Sequence, residues 1–206
     1  MKIEALLFDL GKVLIDFDME TGIRSMAARC SITRDKFEEV LWNKKWIRGY
    51  ERGEISTEQF HRYLCDSGSL NMDLSQFRET WSSIFLPGLI VSEGLLPALK
   101  RNYPLILISN TNQGHAEFIR SNYGVFTHFT HLIFSYEVGS LKPDRRIYEH
   151  AIAASGKPPD RLFFTDDREE NILAAREMGI RAHRFVSEAK LVEELRDLGI
   201  DLGDWE

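Results

Sequence analysis

The segment Ile3-Glu4-Ala5-Leu6-Leu7-Phe8 is an almost unbroken apolar run, and it stops on a carboxylate, Asp9. A short apolar run of this kind reads as a buried strand, the habit of a parallel sheet covered by helices on both faces. A carboxylate at the carboxyl end of such a strand sits at the crevice where open α/β sheets bind their ligands. Gly11, Lys12 and Val13 follow in a short loop whose backbone N–H groups can face an anion. An Asp in this position also commonly does no more than end a strand or cap a helix. Its company elsewhere in the chain decides between the two.

The next convincing buried strand, Pro104-Leu105-Ile106-Leu107-Ile108-Ser109, comes far later. The intervening residues read as helices. Thr33 begins a run with Phe37, Val40, Leu41 and Trp42 at helical spacing, and Ser56-Thr57-Glu58-Gln59 is a capping-box pattern. Phe60, Tyr63 and Leu64 then supply an apolar face, and a further helix is expected from Leu74 to Ile84. A simple crossover between parallel strands needs only about a dozen residues. Residues 17–87 therefore read as an inserted helical cap, hinged near Phe17 and Pro87-Gly88, with residues 1–16 and 88–206 forming the core.

After Ser109 strand and helix alternate. Strands are expected at Leu132–Ser135, Leu162–Thr165 and Ala182–Val186, and helices near 92–101, 113–122, 144–154, 168–178 and 188–198, with Gly179 as a helix stop. This pattern predicts an α/β fold, a doubly wound and mostly parallel sheet. A length of 206 residues with 43% hydrophobic content holds one domain plus an insertion without needing metals or disulfides as staples. Cys30 and Cys65 lack metal-ligand spacing and read as reduced thiols of a cytoplasmic protein. No apolar stretch reaches the roughly 18 residues of a membrane span, and the start passes straight into the first strand without a signal peptide. A net charge of −6 argues against a general nucleic-acid binder. Oligomeric state is not encoded in any of these features.

Three further fragments keep company with Asp9: Ser109-Asn110-Thr111-Asn112, Lys142-Pro143 and Phe163-Phe164-Thr165-Asp166-Asp167. The first and last follow expected strands, so both belong on the same sheet edge as Asp9. Together they offer a nucleophile, a hydroxyl, a cation and a carboxylate pair. With these motifs in this order the chain resembles the haloacid dehalogenase-like hydrolases. Within that superfamily it is similar to bacterial α-D-glucose-1-phosphate phosphatases. The shared stretches are Phe8-Asp9-Leu10-Gly11, Glu51-Arg52-Gly53-Glu54-Ile55-Ser56, Ser109 to Asn112, Lys142-Pro143, Arg146-Ile147-Tyr148, and Asp166-Asp167 with Asn171.

The resemblance implies a Mg²⁺-dependent phosphomonoester hydrolase acting on a small phosphorylated metabolite, a sugar phosphate such as a hexose 1-phosphate. Asp9 would attack phosphorus and form an aspartyl phosphate, splitting one hard step into two easier ones. Like charges oppose that attack, and a divalent cation with Lys142 removes the obstacle. By the same likeness Asp9, Asp167 and the Gly11 carbonyl would hold the cation directly, and Asp166 would act through water. Asn171 lies four residues beyond Asp167, on the same face if the helix starts there, and would orient a ligand or water. Ser109 and the Asn110 amide would hold phosphate oxygens, with Lys142 bridging phosphate and Asp9. The polar run containing Arg48, Glu51 and Arg52 precedes a capped helix, where the cap can reach over the site and touch substrate.

One position departs from the pattern. Most phosphatases of the superfamily carry an Asp two residues after the nucleophile, as general acid and base, and here that residue is Gly11. General acid–base catalysis is worth roughly 10²–10⁴-fold. An acidic leaving group, a cap residue such as Glu51, or a weakened catalyst would each account for its loss. Metal-independent 2-haloacid dehalogenases also lack that Asp and form the competing enzymatic reading, although they give Asp166-Asp167 little to do. A non-catalytic phosphate-binding regulatory protein is the third. Trp42 and Trp46, at i and i+4, read as cap core, and His128 with His131 as an ordinary pair rather than a metal site.

Overall fold

The computed structural model describes residues 2–203 and 205; Met1, Asp204 and Glu206, at the ends of the expected core segments, lie outside the described residues. Five strands, β1 (Ala5–Phe8), β2 (Leu105–Ser109), β3 (His131–Phe134), β4 (Leu162–Asp166) and β5 (Arg181–Arg184), form one parallel sheet in the order β3-β2-β1-β4-β5. The chain builds outward from β1 on one side and then returns to build on the other. The switch therefore falls at β1 and β4, where a crevice must open beyond the strand ends.

Phe8 pairs with Thr165, and the Asp9 amide donates to the Thr165 carbonyl at 3.0 Å. Residues in register on parallel neighbours point to the same face, so Asp9 and Asp166 are side by side. The fifth strand departs from expectation. It begins at Arg181 and stops at Arg184, because its partner β4 ends at Asp166, and Val186 is left 74% exposed.

Between β1 and β2 the chain runs through α1 (Met19–Ala27), α2 (Arg34–Leu41), α3 (Lys44–Glu51), α4 (Thr57–Gly68) and α5 (Leu74–Ser82). The Ser56 capping box is present, with the Gln59 amide donating to Ser56 Oγ at 3.2 Å and the Ser56 amide donating to Gln59 Oε1 at 2.8 Å. Asp73 and Gln76 form a second one ahead of α5. These helices enclose an apolar cluster of their own, including Phe37, Leu41, Tyr50, Phe60, Phe77 and Trp81. The two connecting segments run antiparallel, with the Asp18 amide donating to the Ile84 carbonyl at 2.7 Å and the Leu86 amide to the Asp16 carbonyl at 3.0 Å.

The later helices α6 (Leu95–Asn102), α7 (Gln113–Asn122), α8 (Ser135–Val138), α9 (Arg145–Ser155), α10 (Glu169–Glu177) and α11 (Glu188–Asp197) cover the sheet. Alternate residues of β1 enter different layers, Leu6 and Phe8 one and Ala5 and Leu7 the other, as a period of two requires. No helix among the described residues is long and apolar enough to cross a membrane.

The helices inserted after β1 are seated on the sheet domain through a buried seam. Asn112 caps α7, its Oδ1 accepting from the His115 amide at 3.0 Å and from Trp81 Nε1 at 3.3 Å. The His115 ring stacks on Trp81 at 4.9 Å, and its Nε2 donates to the Trp81 carbonyl at 3.0 Å. Asn112 Nδ2 occupies the other ring nitrogen at 3.2 Å, so the ring is neutral with its proton on Nε2. Burial pushes the imidazole down from 6.5 to about 4.

A histidine depressed in the folded state binds its proton more readily when unfolded, so stability falls as pH drops from 6.5 toward 4. The loss amounts to about 3 kcal/mol. In urea titrations across that window, the parent is expected to lose about that much more than His115→Gln. Parallel pH dependence in the two proteins would show that His115 does not carry the effect.

Candidate active site

The carboxyl end of the sheet opens into a cavity of about 300 Å³ between the strands and the inserted helices. That volume suits a small metabolite. Asp9, Gly11, Ser109, Asn110, Lys142, Asp167 and Asn171 all line it, as does Glu51 from α3.

Lys142 organises the floor. Its ammonium is 2.7 Å from Asp9 Oδ1 and 2.6 Å from Asp166 Oδ2, and all three side chains are almost fully buried. Burial disfavours the lysine's charge, but the two carboxylates outweigh it and hold Lys142 above its ordinary value. For Asp9 burial wins over the pull of Lys142, Asp166 adds to it, and the carboxyl is raised. Lys142 is placed by backbone clamps: Asn110 Oδ1 accepts from the Lys142 amide at 2.7 Å, and Asn110 Nδ2 donates to its carbonyl at 2.9 Å. The Asn110 side chain thus has a positioning task that spacing alone did not suggest.

Asp166 is saturated with donors. Its Oδ1 accepts from the Arg168 amide at 2.9 Å, and Asn171 Nδ2 reaches both oxygens at 2.9 and 3.0 Å. Asn171 therefore orients Asp166, although its spacing pointed to Asp167. Its own carbonyl accepts from the buried Tyr148 hydroxyl at 2.9 Å. Asp167 is only half-buried, and its carboxyl is raised by burial and by neighbouring Asp166.

Among the described residues Asp9, Asp166 and Asp167 form the one group of three or more potential ligands, with ligand atoms within 4.8 Å of one another. All are hard carboxylate oxygens, the donors Mg²⁺ prefers. In the turn after β1 the Leu10 carbonyl accepts from the amides of Leu14 and Ile15, while the Gly11 carbonyl takes no part in these bonds. The donor set suits a hard divalent cation: Asp9 and Asp167 have oxygens free for it, Asp166 has its oxygens engaged and is suited to act through water, and Gly11 lines the same cavity.

Gly11 does not have a positive φ; Lys12 takes the left-handed conformation instead, at φ 59°. The obstacle to a side chain at Gly11 is Phe17, whose ring carbon would lie 2.9 Å from an added Cβ. The Lys12 ammonium turns back to Asp16 and the Phe17 carbonyl.

Of the three cap-loop candidates only Glu51 lines the cavity; Arg48 and Arg52 do not. They lie close enough for their charges to act on the Glu51 carboxyl, as Arg168 does. Trp42 corrects another expectation. α2 ends at Leu41 with Trp42 at its C-cap, and Asn43 caps α3, so Trp42 and Trp46 do not share a helix. Trp46 stacks on Tyr63 at 4.1 Å, whereas Trp42 stands 41% exposed on the cavity wall. Phe17, Met19, Ile47 and Arg168 also line the wall, and no motif announced them.

Removing Asp166 takes from Lys142 one of its two carboxylates and leaves the buried Asn171 Nδ2 and the Arg168 amide without their acceptor, a loss of about 3–5 kcal/mol. Asp166→Ala is expected to lower the unfolding free energy by about that amount. Asp167→Ala, which breaks no ion pair, should remain within about 1 kcal/mol of the parent. Urea denaturation of both variants checks the ranking, and equal losses would refute it.

A family profile for haloacid dehalogenase-like hydrolases matches residues 3–179. A D-ribitol-5-phosphate phosphatase from Bacteroides thetaiotaomicron is 23% identical over 199 residues, spanning 94% of this chain and 97% of its own. A pyrimidine 5′-nucleotidase from Escherichia coli is 27% identical, over 87% of this chain and 84% of its own. A crystal structure of a haloacid dehalogenase-family enzyme from B. thetaiotaomicron superposes with a TM-score of 0.83 at 25% identity, covering 95% of this chain and all of that one. The wild-type form of that enzyme in complex with magnesium and inorganic phosphate gives a TM-score of 0.77 at 26% identity, over 90% and 96% of the two chains. With a profile match over most of its length and these carboxylates at the end of its parallel sheet, the chain belongs to the haloacid dehalogenase-like hydrolases.

Proposed function

We propose that this protein is a Mg²⁺-dependent phosphomonoester hydrolase that works through an aspartyl phosphate on Asp9. The observation that carries the reading is a buried carboxylate on the cavity floor, ion-paired to Lys142 and adjacent to Asp167. The named activities of the ribitol-phosphate and nucleotide phosphatases and the magnesium–phosphate complex of a structural neighbour support it.

The Asp9 carboxylate attacks phosphorus while the ester P–O bond breaks, and water then attacks the aspartyl phosphate to release phosphate and free Asp9. Lys142 offsets negative charge shared by Asp9 and the phosphoryl oxygens. Ser109 and the Asn110 amide hold phosphoryl oxygens, and Asp166 with Asn171 keeps Lys142 in place. Asp9, Asp167 and the Gly11 carbonyl would hold Mg²⁺, with Asp166 acting through water, and the cation would supply the remaining charge neutralisation. The helices from α1 to α5 act as a cap domain, residues 17–87, that closes the cavity over substrate.

For the leaving group we favour a sugar phosphate, with hexose 1-phosphates the first compounds to try. Trp42 offers an aromatic face to a sugar ring, and Glu51 and Arg168 offer partners for its hydroxyls. The resemblance of the sequence to glucose-1-phosphate phosphatases points the same way.

A screen of phosphorylated metabolites is expected to yield Mg²⁺-dependent phosphate release that stops in excess chelator. Asp9→Asn should lower turnover at least about 10³-fold with the fold retained. Residual activity within tenfold of the parent would overturn the covalent mechanism. Full activity in chelator, with 2-haloacids consumed, would move the chain to the dehalogenase reading.

A further inference from the structure

Gly11 leaves the reaction without a proton donor, and the Phe17 ring occupies the space where a side chain there would begin. The lining residues narrow the search for a substitute. Asp9 and Asp167 already have tasks, and Lys142 is committed to two carboxylates. The Lys12 ammonium is turned toward Asp16 and the Phe17 carbonyl. His115 has both ring nitrogens occupied. The remaining acid on the cavity wall is Glu51. Among the described residues its carboxyl oxygens have no hydrogen-bond or ion-pair partner, whereas most other acidic residues near the cavity do.

The backbone of Glu51 is held firmly. It is the last residue of α3, and its carbonyl faces Ser135 Oγ at 2.7 Å. Two residues on, Gly53 takes φ 71°, and a Cβ there would lie 2.1 Å from the Tyr136 carbonyl oxygen. The end of α3 is thus seated against α8 at the cavity wall. Burial lifts the Glu51 carboxyl above its ordinary value, against the pull of Arg48, Arg168 and Arg52. The negative end of the α3 dipole acts in the same direction as burial. A carboxyl whose charged form is disfavoured by its surroundings is better suited than a free one to donate a proton to a leaving oxygen.

We propose that Glu51, on the cap side of the cavity, is the catalytic acid and base that replaces the side chain missing at Gly11. The proposal rests on the phosphomonoesterase reading above. As Asp9 attacks phosphorus, the electron pair of the breaking ester bond stays on the leaving oxygen, which takes the Glu51 proton and departs as the alcohol. In the second half-reaction water attacks phosphorus, its proton passes to the Glu51 carboxylate, and the Asp9–phosphorus bond breaks. The sum is ester plus water to alcohol plus phosphate, with Asp9 and Glu51 restored.

The test compares two esters in single turnover with the Mg²⁺-loaded protein. One is a primary-alcohol sugar phosphate that the parent hydrolyses; the other is p-nitrophenyl phosphate, whose phenolate leaves without a proton. Glu51→Gln is expected to slow the sugar ester by roughly 10²–10⁴-fold, and to slow the aryl ester at least about tenfold less than that.

The decline of the parent rate at high pH, where the donor is deprotonated, should vanish in Glu51→Gln and persist in Glu51→Asp. Arg48, Arg52 and Arg168, the charged groups acting on it, keep their charge throughout. Glu51→Asp also carries the test should the Gln variant fail to fold. Equal losses on the two esters, or an unchanged pH profile in Glu51→Gln, would overturn the proposal. A parent that releases phosphate from neither ester in Mg²⁺ would instead overturn the phosphomonoesterase reading.

Discussion

The ammonium of Lys142, 2.7 Å from Asp9 and 2.6 Å from Asp166, is the interaction on which the rest of the site depends. Two adjacent carboxylates buried at the end of parallel strands would repel one another and lose their hydration. One cation between them makes the arrangement tolerable and leaves a net negative charge, which favours a second cation at Asp167. The supporting contacts follow from that need. Asn110 clamps the lysine backbone on both sides, Asn171 and the Arg168 amide satisfy Asp166, and Tyr148 secures the Asn171 carbonyl. A buried ion network of this type adds little net stability, and its members hold one another in a single geometry.

The helices inserted after β1 determine what else reaches that geometry. They are fastened at two places, through Trp81, Asn112 and His115 on one side and through Glu51, Gly53, Ser135 and Tyr136 on the other. Between the two fastenings lies the cavity wall with Trp42, Ile47 and Glu51. Trp81, Asn112, His115 and Glu51 belong to these fastenings and also line the cavity, so the seating of the inserted helices shapes the site.

Gly11 and Phe17 illustrate how one substitution shifts work elsewhere. The space that a side chain at Gly11 would enter is taken by the Phe17 ring, from the start of the inserted segment. The acid proposed to act on the leaving oxygen comes instead from the inserted helices, where the carboxyl of Glu51 lines the cavity without a partner among the described residues. The left-handed turn at Lys12 directs that side chain to Asp16 and the Phe17 carbonyl, which keeps the loop tight and Phe17 in position.

Much of this was legible in the chain itself. The apolar run into Asp9, the run into Ser109 and the pair Asp166-Asp167 marked one sheet edge, because strand periodicity and strand ends are local properties. The capping box at Ser56 was legible for the same reason. The second box, Asp73 with Gln76, is equally local. What sequence could not express were relations between segments. Trp42 and Trp46 looked like one helical stripe, yet Asn43 divides them and only Trp42 faces the cavity. Asn171 was spaced for Asp167, yet it serves Asp166, because the path of β4 into α10 aims its amide there. Arg48, Glu51 and Arg52 looked equivalent until the docking of α3 on α8 turned one of them inward. By itself, then, the sequence determined the parallel sheet, the inserted helices and the chemical groups at the strand ends, since each follows from the local pattern of apolar and polar residues. Only the tertiary structure decided which side chains share the cavity, because that depends on the packing of elements far apart in the chain.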